Sequence, residues 1–227
     1  MNTKNKALLS LLLLVPAPSI GVIAGMILWP DAPQGKAIFA ISKVWLFALP
    51  VLWFKFADRC KLSLSPARKG GFGFGLLSGG IITAIIWGAY LLLGSMFLKE
   101  GQLDAKMADI GLDSPLIYWA GAAYWICVNS VLEEYVWRWF VTRQCEALFK
   151  PMVAVIVSAL CFTAHHVIAL STFMPPIATA VCSAGIFIGG ALWSWMYVKY
   201  ESIWPGYLSH AIVDLAVFAL GAWMIFR

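Results

Sequence analysis

The sequence predicts an all-α fold, a polytopic transmembrane helix bundle of seven spans, or eight if a further or re-entrant segment is present. Its 227 residues are 62% hydrophobic and only 12% charged, whereas soluble domains are about half apolar and a quarter charged. Seven apolar stretches approach the ~20 residues that a helix needs to cross a bilayer. The alternating pattern of a membrane β-barrel is absent, so the excess of apolar surface is expected to face lipid as helices.

Short polar or proline-containing connectors separate the apolar stretches. The first stretch continues past Pro16 and Pro18 to Trp29, so it is predicted to be one retained, kinked helix and not a cleaved signal. The length favours a single integral membrane domain, residues 1–227. The predicted spans are residues 7–29, 37–57, 71–97, 115–140, 152–170, 176–198 and 203–226.

The positive charges are distributed unequally between the two sets of loops. With the N-terminus inside, ten Lys and Arg lie on the cytoplasmic side and four outside, which favours this orientation. The expected location is a bacterial inner (plasma) membrane, with lipids as partners, and the net charge of +5 is no sign of nucleic-acid binding. The inner charges are Lys4, Lys6, Lys55, Arg59, Lys61, Arg68, Lys69, Arg143, Lys150 and Lys199; the outer ones are Lys36, Lys99, Lys106 and Arg227.

Loop 98–114, on the outer side, is acidic and is expected to be solvated. It carries Glu100, Asp104, Asp109 and Asp113.

Ionisable groups inside a span are costly and therefore suggest function. Lys43 lies about two turns inside its predicted helix and is expected to reach the interface with its long side chain. Three other sites are harder to explain by structure alone.

The first site has two adjacent acids in an apolar helix. Glu134 and Arg138 are four residues apart, so they are predicted to form an ion pair on one face. Glu133 points about 100° away, on the face of Asn129, with no cation nearby in the sequence. It must meet a partner on another helix, a metal or water, unless it only holds helices together.

The second and third sites contain all three histidines. His165 and His166 point in different directions; His165 is interpreted as a packing residue, and His166 is expected to face a polar interior on the side of Thr163. His210 and Asp214 share one face, where Asp214 can accept a hydrogen bond from His210 and fix its tautomer.

An acid, two histidines and a polar helper suit the activation of water. The carboxylate can act as base, one histidine can share the proton, and another can donate to an oxyanion. No Ser or Cys nucleophile signature and no HExxH motif accompanies them.

The three motifs occur in a recognisable order. Glu133-Glu134-xxx-Arg138, Phe162-xxx-His166 and His210-xxx-Asp214 together resemble the CPBP (ABI) family of intramembrane proteases, the type II CAAX prenyl proteases and bacteriocin-processing or self-immunity proteins. The likeness covers residues 115–226, which form the expected protease core.

The resemblance implies a role for each residue. Glu133 and His166 would activate the attacking water, with His210 and position 214 at the oxyanion side and Glu134 and Arg138 supporting the site. Asp214 stands where the family usually has Asn, and an ionised Asp cannot donate to an oxyanion, so its alternative role is to orient His210.

The expected function is an intramembrane endopeptidase that cleaves a membrane-anchored peptide or protein. A metal-independent glutamate mechanism with no cofactor is preferred, but Glu133, His166 and His210 could also be three ligands of a catalytic zinc. Two non-catalytic hypotheses stay open: a proton-coupled transporter or immunity-type membrane protein, and a scaffold held by buried salt bridges. The sequence contains no internal repeat of the kind that many transporters show.

Overall fold

The computed structural model describes residues 2–59, 63–97, 111 and 113–226. Every regular element within these ranges is helical, and seven helices are long and apolar enough to cross a membrane. The predicted class and span number are therefore confirmed. Several residues named above lie outside the described residues: Lys61, Lys99, Glu100, Asp104, Lys106, Asp109 and Arg227.

The helices begin close to the predicted positions, and prolines explain several starts. Four helices have Pro at their first position, where a missing N–H costs no hydrogen bond. Helix α6 ends at Tyr200 and is followed by Glu201, whose φ of 52° places it in the left-handed region. The helices are α1 Thr3–Leu28, α2 Pro33–Ala57, α3 Phe72–Phe97, α4 Pro115–Glu146, α5 Pro151–Ser171, α6 Pro176–Tyr200 and α7 Trp204–Ile225.

Helix α1 crosses as one span despite its prolines. The segment Thr3–Leu14 is α-helical, and the helix resumes at Pro16 after Val15. Its last turns, Ile23–Leu28, widen to π-helical geometry. The prediction of one helix that extends past Pro16 and Pro18 is confirmed.

Helix α4 is longer than predicted. It continues through residues 141–146, which the sequence assigned to a connector, because Val141, Thr142 and Cys145 remain completely buried. Arg143 and Glu146 lower the local hydropathy without ending the helix. Two stretches of α4 have π-helical hydrogen bonds, Trp125–Asn129 and Glu134–Thr142.

The true end of α4 corrects the depth of the first acidic motif. Glu133 lies 13 residues before Glu146, about 20 Å at 1.5 Å per residue. His166 lies 15 residues after Pro151, about 22 Å from the same end of the bundle. The predicted span end at 140 placed Glu133 only about 10 Å deep, far from His166. With the correct end, both residues lie at similar depth.

The bundle packs around α4. Helix α7 packs against α3, α6 against α5, and α1 against α2. Gly75 of α3 permits one of these close approaches, since a Cβ there would overlap the Pro205 carbonyl oxygen. The buried cluster gathers α4 residues with side chains from α2, α5 and α6: Val136, Trp137, Phe140 and Val141 with Leu46, Phe162, Trp193 and Met196.

Candidate active site

Three helices bring the predicted polar residues together inside the bundle. Helix α4 contributes the two acids, α5 contributes His166, and α7 contributes His210 and Asp214. The Phe162 ring lies between the histidines, with its centroid 4.6 Å from that of His166 and 6.3 Å from that of His210. The three separate motifs of the sequence thus form one cluster.

The two adjacent acids have different environments. The Glu133 side chain keeps 14% of its surface accessible, whereas the Glu134 side chain has none. Asn129 Nδ2 donates a 2.9 Å hydrogen bond to Glu133 Oε1, and Glu133 Oε2 lies 3.8 Å from His210 Nε2. Glu133 is therefore the acid that water or a substrate can reach, and its partner on another helix is His210.

Glu134 forms the predicted ion pair with Arg138. Arg138 Nε lies 3.4 Å from Glu134 Oε1, and both side chains are completely buried. The Arg138 guanidinium also lies over the rings of Phe162 and Trp193, 4.5 and 5.3 Å from their centroids, and Nη2 donates to the Gly190 carbonyl at 3.4 Å. These contacts fix the position of the cation in the bundle.

His210 is oriented by Glu134 and not, as predicted, by Asp214. His210 Nδ1 lies 3.0 Å from Glu134 Oε1, whereas Nε2 lies 3.7 Å from Asp214 Oδ2, too far for a direct hydrogen bond. Because a carboxylate accepts only, Nδ1 carries the proton and donates to Glu134. The ring also stacks on Trp193 at a centroid distance of 3.9 Å.

Asp214 is held by a serine that the sequence reading did not single out. Ser130 Oγ lies 2.5 Å from Asp214 Oδ2 and 2.9 Å from the Trp125 carbonyl. The Asp214 side chain keeps 22% of its surface accessible. Ser130 directly follows Asn129 in the sequence, and this polar pair ahead of the two acids is the signal that could have identified it.

His166 has a defined tautomer. Its Nδ1 lies 2.9 Å from the Phe162 carbonyl oxygen, which can only accept, so Nδ1 donates and Nε2 is the basic nitrogen of the neutral ring. Thr163 does not join it, since its hydroxyl donates to the Ala159 carbonyl.

His165 packs as predicted. Its ring stacks on Trp137 with a centroid distance of 5.3 Å and an interplanar angle of 10°.

The residues proposed for zinc do not form a ligand set. In the part of the chain that the structure describes, no three His, Cys, Asp or Glu side chains approach one another as the ligands of one ion would. No step below is therefore derived through a metal.

Gly206 of α7 is a site residue with no signal in the sequence. A Cβ at this position would lie 2.8 Å from Glu134 Oε2. We expect Gly206→Ala to displace the carboxylate, which His210 and Arg138 otherwise fix, and to lower the free energy of unfolding by about 1–3 kcal/mol. Thermal unfolding in detergent measures this effect.

Gly185→Ala in α6 is the matched control, because a Cβ there meets no atom within 4 Å. It should leave stability unchanged or raise it slightly, as Ala favours helix. Equal melting temperatures for both variants would contradict the assigned contact.

One comparison with known proteins finds a match that covers the residues of this site. The family model described as type II CAAX prenyl endopeptidase Rce1-like matches residues 115–216. Comparisons of the chain with curated proteins and with solved structures find no match. The matched segment contains Glu133, Glu134, Arg138, His166, His210 and Asp214, and it begins with α4, so α1–α3 lie outside it. The match supports a CAAX-type protease activity, and it confirms the resemblance of this membrane-spanning chain to the CPBP intramembrane proteases over residues 115–216.

Proposed function

We propose that the protein is an intramembrane endopeptidase that hydrolyses a peptide bond of a membrane-anchored peptide or protein with water activated by Glu133 and His166. The single observation that carries this proposal is the accessible Glu133 carboxylate beside His210, in a polar cluster that includes His166 through the shared Phe162 ring. A scaffold needs buried pairs such as Glu134 with Arg138, but it gains nothing from a second, accessible acid.

The first step uses Glu133 as the general base. Its Oε1 is held by Asn129, so the carboxylate keeps one orientation while Oε2 faces the reaction site. Glu133 removes a proton from water, assisted by the basic Nε2 of His166, and the hydroxide attacks the carbonyl carbon of the scissile bond. The proton is then available for the leaving amine.

His210 stabilises the oxygen of the scissile carbonyl as it becomes an oxyanion. His210 is positioned for this role because Glu134 anchors Nδ1 and Trp193 stacks on the ring, which aims Nε2 toward Glu133 and Asp214. When His210 donates from both ring nitrogens it carries a positive charge. The neighbouring carboxylates of Glu133, Glu134 and Asp214 balance this charge. The intermediate collapses, the C–N bond breaks, the amine takes the proton, and a carboxylate and an amine are released.

Asp214 acts as a positioning residue in this scheme. It is tied to α4 through Ser130 and lies near His210 Nε2. Its contact with Ser130 holds α7 against α4 at the level of the two acids. We propose that this contact, together with Glu134 and Arg138, keeps His210 in place.

The test compares the protein termini in membranes that contain or lack the active protein. Cells without the gene receive either the wild-type chain or His166→Gln, and mass spectrometry quantifies new termini in the membrane fraction. We expect wild-type-specific termini close to a membrane anchor, including prenylated CAAX tails where present. If both strains show identical termini, the proposed peptidase function is wrong. Proton flux in proteoliposomes that contain the purified protein would then identify it as a transporter.

We predict that peptide hydrolysis does not require a bound metal. No three His, Cys, Asp or Glu side chains among the described residues are arranged to hold one ion, so treatment with EDTA or 1,10-phenanthroline should leave the rate within about twofold of the untreated enzyme, since no metal-bound water is needed. Elemental analysis of the purified, active protein provides the second measurement. Stoichiometric zinc, together with activity that is lost on chelation and restored by added zinc, would show that the mechanism is wrong.

A further inference from the structure

Trp193 of α6 contacts His210 through the face of its indole ring. The two rings are nearly parallel, with an interplanar angle of 17° and centroids 3.9 Å apart. Such a stack sets the spacing and the tilt of the rings, but it cannot hold the imidazole still if the indole itself turns or slides. The direction of His210 Nε2 therefore depends on what fixes Trp193.

A hydrogen bond fixes the edge of this indole. Trp193 Nε1 donates to Ser209 Oγ at 3.1 Å, and both residues are buried. A buried N–H is costly without an acceptor, and hydrogen bonds are directional, so this bond holds the indole in one orientation. Ser209 directly precedes His210 in α7. The indole is thus bound at its edge by one residue of α7 and contacted at its face by the next.

Helix α3 reaches the same hydroxyl from the other side of α7. Ser78 Oγ lies 3.0 Å from Ser209 Oγ and 3.1 Å from the Gly75 carbonyl oxygen of its own helix. The small Gly75 lets α3 come this close, as small residues do between membrane helices. Helix α3 lies outside the segment that matches the family model. It nevertheless reaches His210 through two intermediate residues, Ser209 and Trp193.

We propose that Ser78 and Ser209 are positioning residues of the peptidase. They hold the Trp193 indole, and the indole holds His210 with Nε2 directed at the oxyanion of the scissile bond. This role depends on the function proposed above, because the oxyanion forms only if a peptide bond is hydrolysed here. Both serines are buried, so they act through Trp193 and not on the substrate. Their effect belongs to the chemical step, since the transition state is the state that needs a well-aligned donor.

The experiment compares kcat and KM of purified variants on an internally quenched, farnesylated CAAX peptide. Ser209→Ala removes the acceptor of the indole N–H. It should lower kcat about tenfold and leave KM within about twofold, because a misaligned His210 stabilises the transition state less without changing substrate binding. Ser78→Ala acts one contact further away and should lower kcat about threefold.

A double-mutant cycle shows whether Ser209 acts through Trp193. Trp193→Phe keeps a ring beside His210 but has no N–H to donate. In this background Ser209→Ala should have no further effect on kcat, because the bond that it removes is already absent. If the effects of the two substitutions on kcat multiply, Ser209 acts by another route and the proposal is wrong.

Ser10→Ala in α1 is the matched control. Ser10 is completely buried and, like Ser78, donates to a carbonyl three residues earlier in its own helix. Its kcat should equal that of the wild type. Rates are compared well below the lowest melting temperature of the set. If the serines only stabilise the packing of α3 on α7, Ser209→Ala will melt earlier with an unchanged kcat, and the positioning role is wrong.

Fluorine NMR gives a readout that needs no activity. In protein labelled with 5-fluorotryptophan, the Trp193 signal is the one missing from Trp193→Phe. Ser209→Ala should shift this signal and Ser10→Ala should not; an unshifted signal in Ser209→Ala would contradict the assigned bond.

The outcomes separate the two proposals. An active wild type together with a Ser209→Ala variant of unchanged kcat overturns the positioning role and leaves the peptidase in place. If the wild type hydrolyses no peptide and no new termini form in cells, the peptidase function and the positioning role both fail, whatever the NMR signal shows.

Discussion

Glu133→Gln should abolish peptide hydrolysis while leaving the fold intact. Gln matches Glu in size and can still accept the hydrogen bond from Asn129 through its amide oxygen, but it cannot take a proton from water. Loss of a general base lowers the rate by about 10²–10⁴-fold. The measurement is kcat on a cleaved peptide with purified protein, alongside the melting temperature.

Glu146→Gln is the matched control for this experiment. It makes the same chemical change on the same helix, at an exposed position 13 residues away near the end of α4. Its activity should equal that of the wild type. A Glu133→Gln variant with wild-type kcat would remove Glu133 from the mechanism, and one that unfolds at lower temperature would indicate a structural acid.

The overall fold could be predicted because lipid imposes a simple requirement on composition. Each span needs about 20 apolar residues, and seven such stretches are present. Local pairs were also predictable: the four-residue spacing of Glu134 and Arg138 gives the ion pair, and that of Asn129 and Glu133 gives the hydrogen bond. Both follow from helix geometry alone.

Contacts between helices could not be predicted in the same way. Glu134 and His210, which form a hydrogen bond, are 76 residues apart in the sequence, and Ser130 and Asp214 are 84 residues apart. The sequence favoured a bond between His210 and Asp214 because they share a helical face. In the bundle the completely buried Glu134 lies closer to Nδ1, and a buried carboxylate requires hydrogen bonds more than an accessible one does.

The end of α4 shows the limit of hydropathy as a guide. Arg143 and Glu146 are exposed and polar, so the apolar stretch stops before the helix does. Thr142 and Cys145, in the same turns of the helix, stay buried against neighbouring helices. This error of six residues placed Glu133 about 9 Å too close to the end of its span.

Arg138→Met should have the largest effect on stability. The substitution preserves much of the apolar volume but leaves Glu134 as a completely buried carboxylate whose remaining partner is His210. Breaking a buried ion pair on one side costs about 3–5 kcal/mol. Chemical or thermal unfolding in detergent should therefore show a large loss of stability. Activity should be lost as well, because Arg138 no longer fixes the Glu134 carboxylate that anchors His210.

The double variant Arg138→Met with Glu134→Gln separates charge from packing. If the cost comes from the uncompensated carboxylate, neutralising it should restore most of the stability, and the double-mutant cycle should give a coupling of several kcal/mol. Activity should stay low, because the introduced glutamine amide would hold His210 without the balancing negative charge. If the double variant is no more stable than Arg138→Met alone, the guanidinium contributes mainly through its contacts with Phe162 and Trp193. The buried pair would then be a packing element, and the orientation of His210 would depend on Glu134 alone.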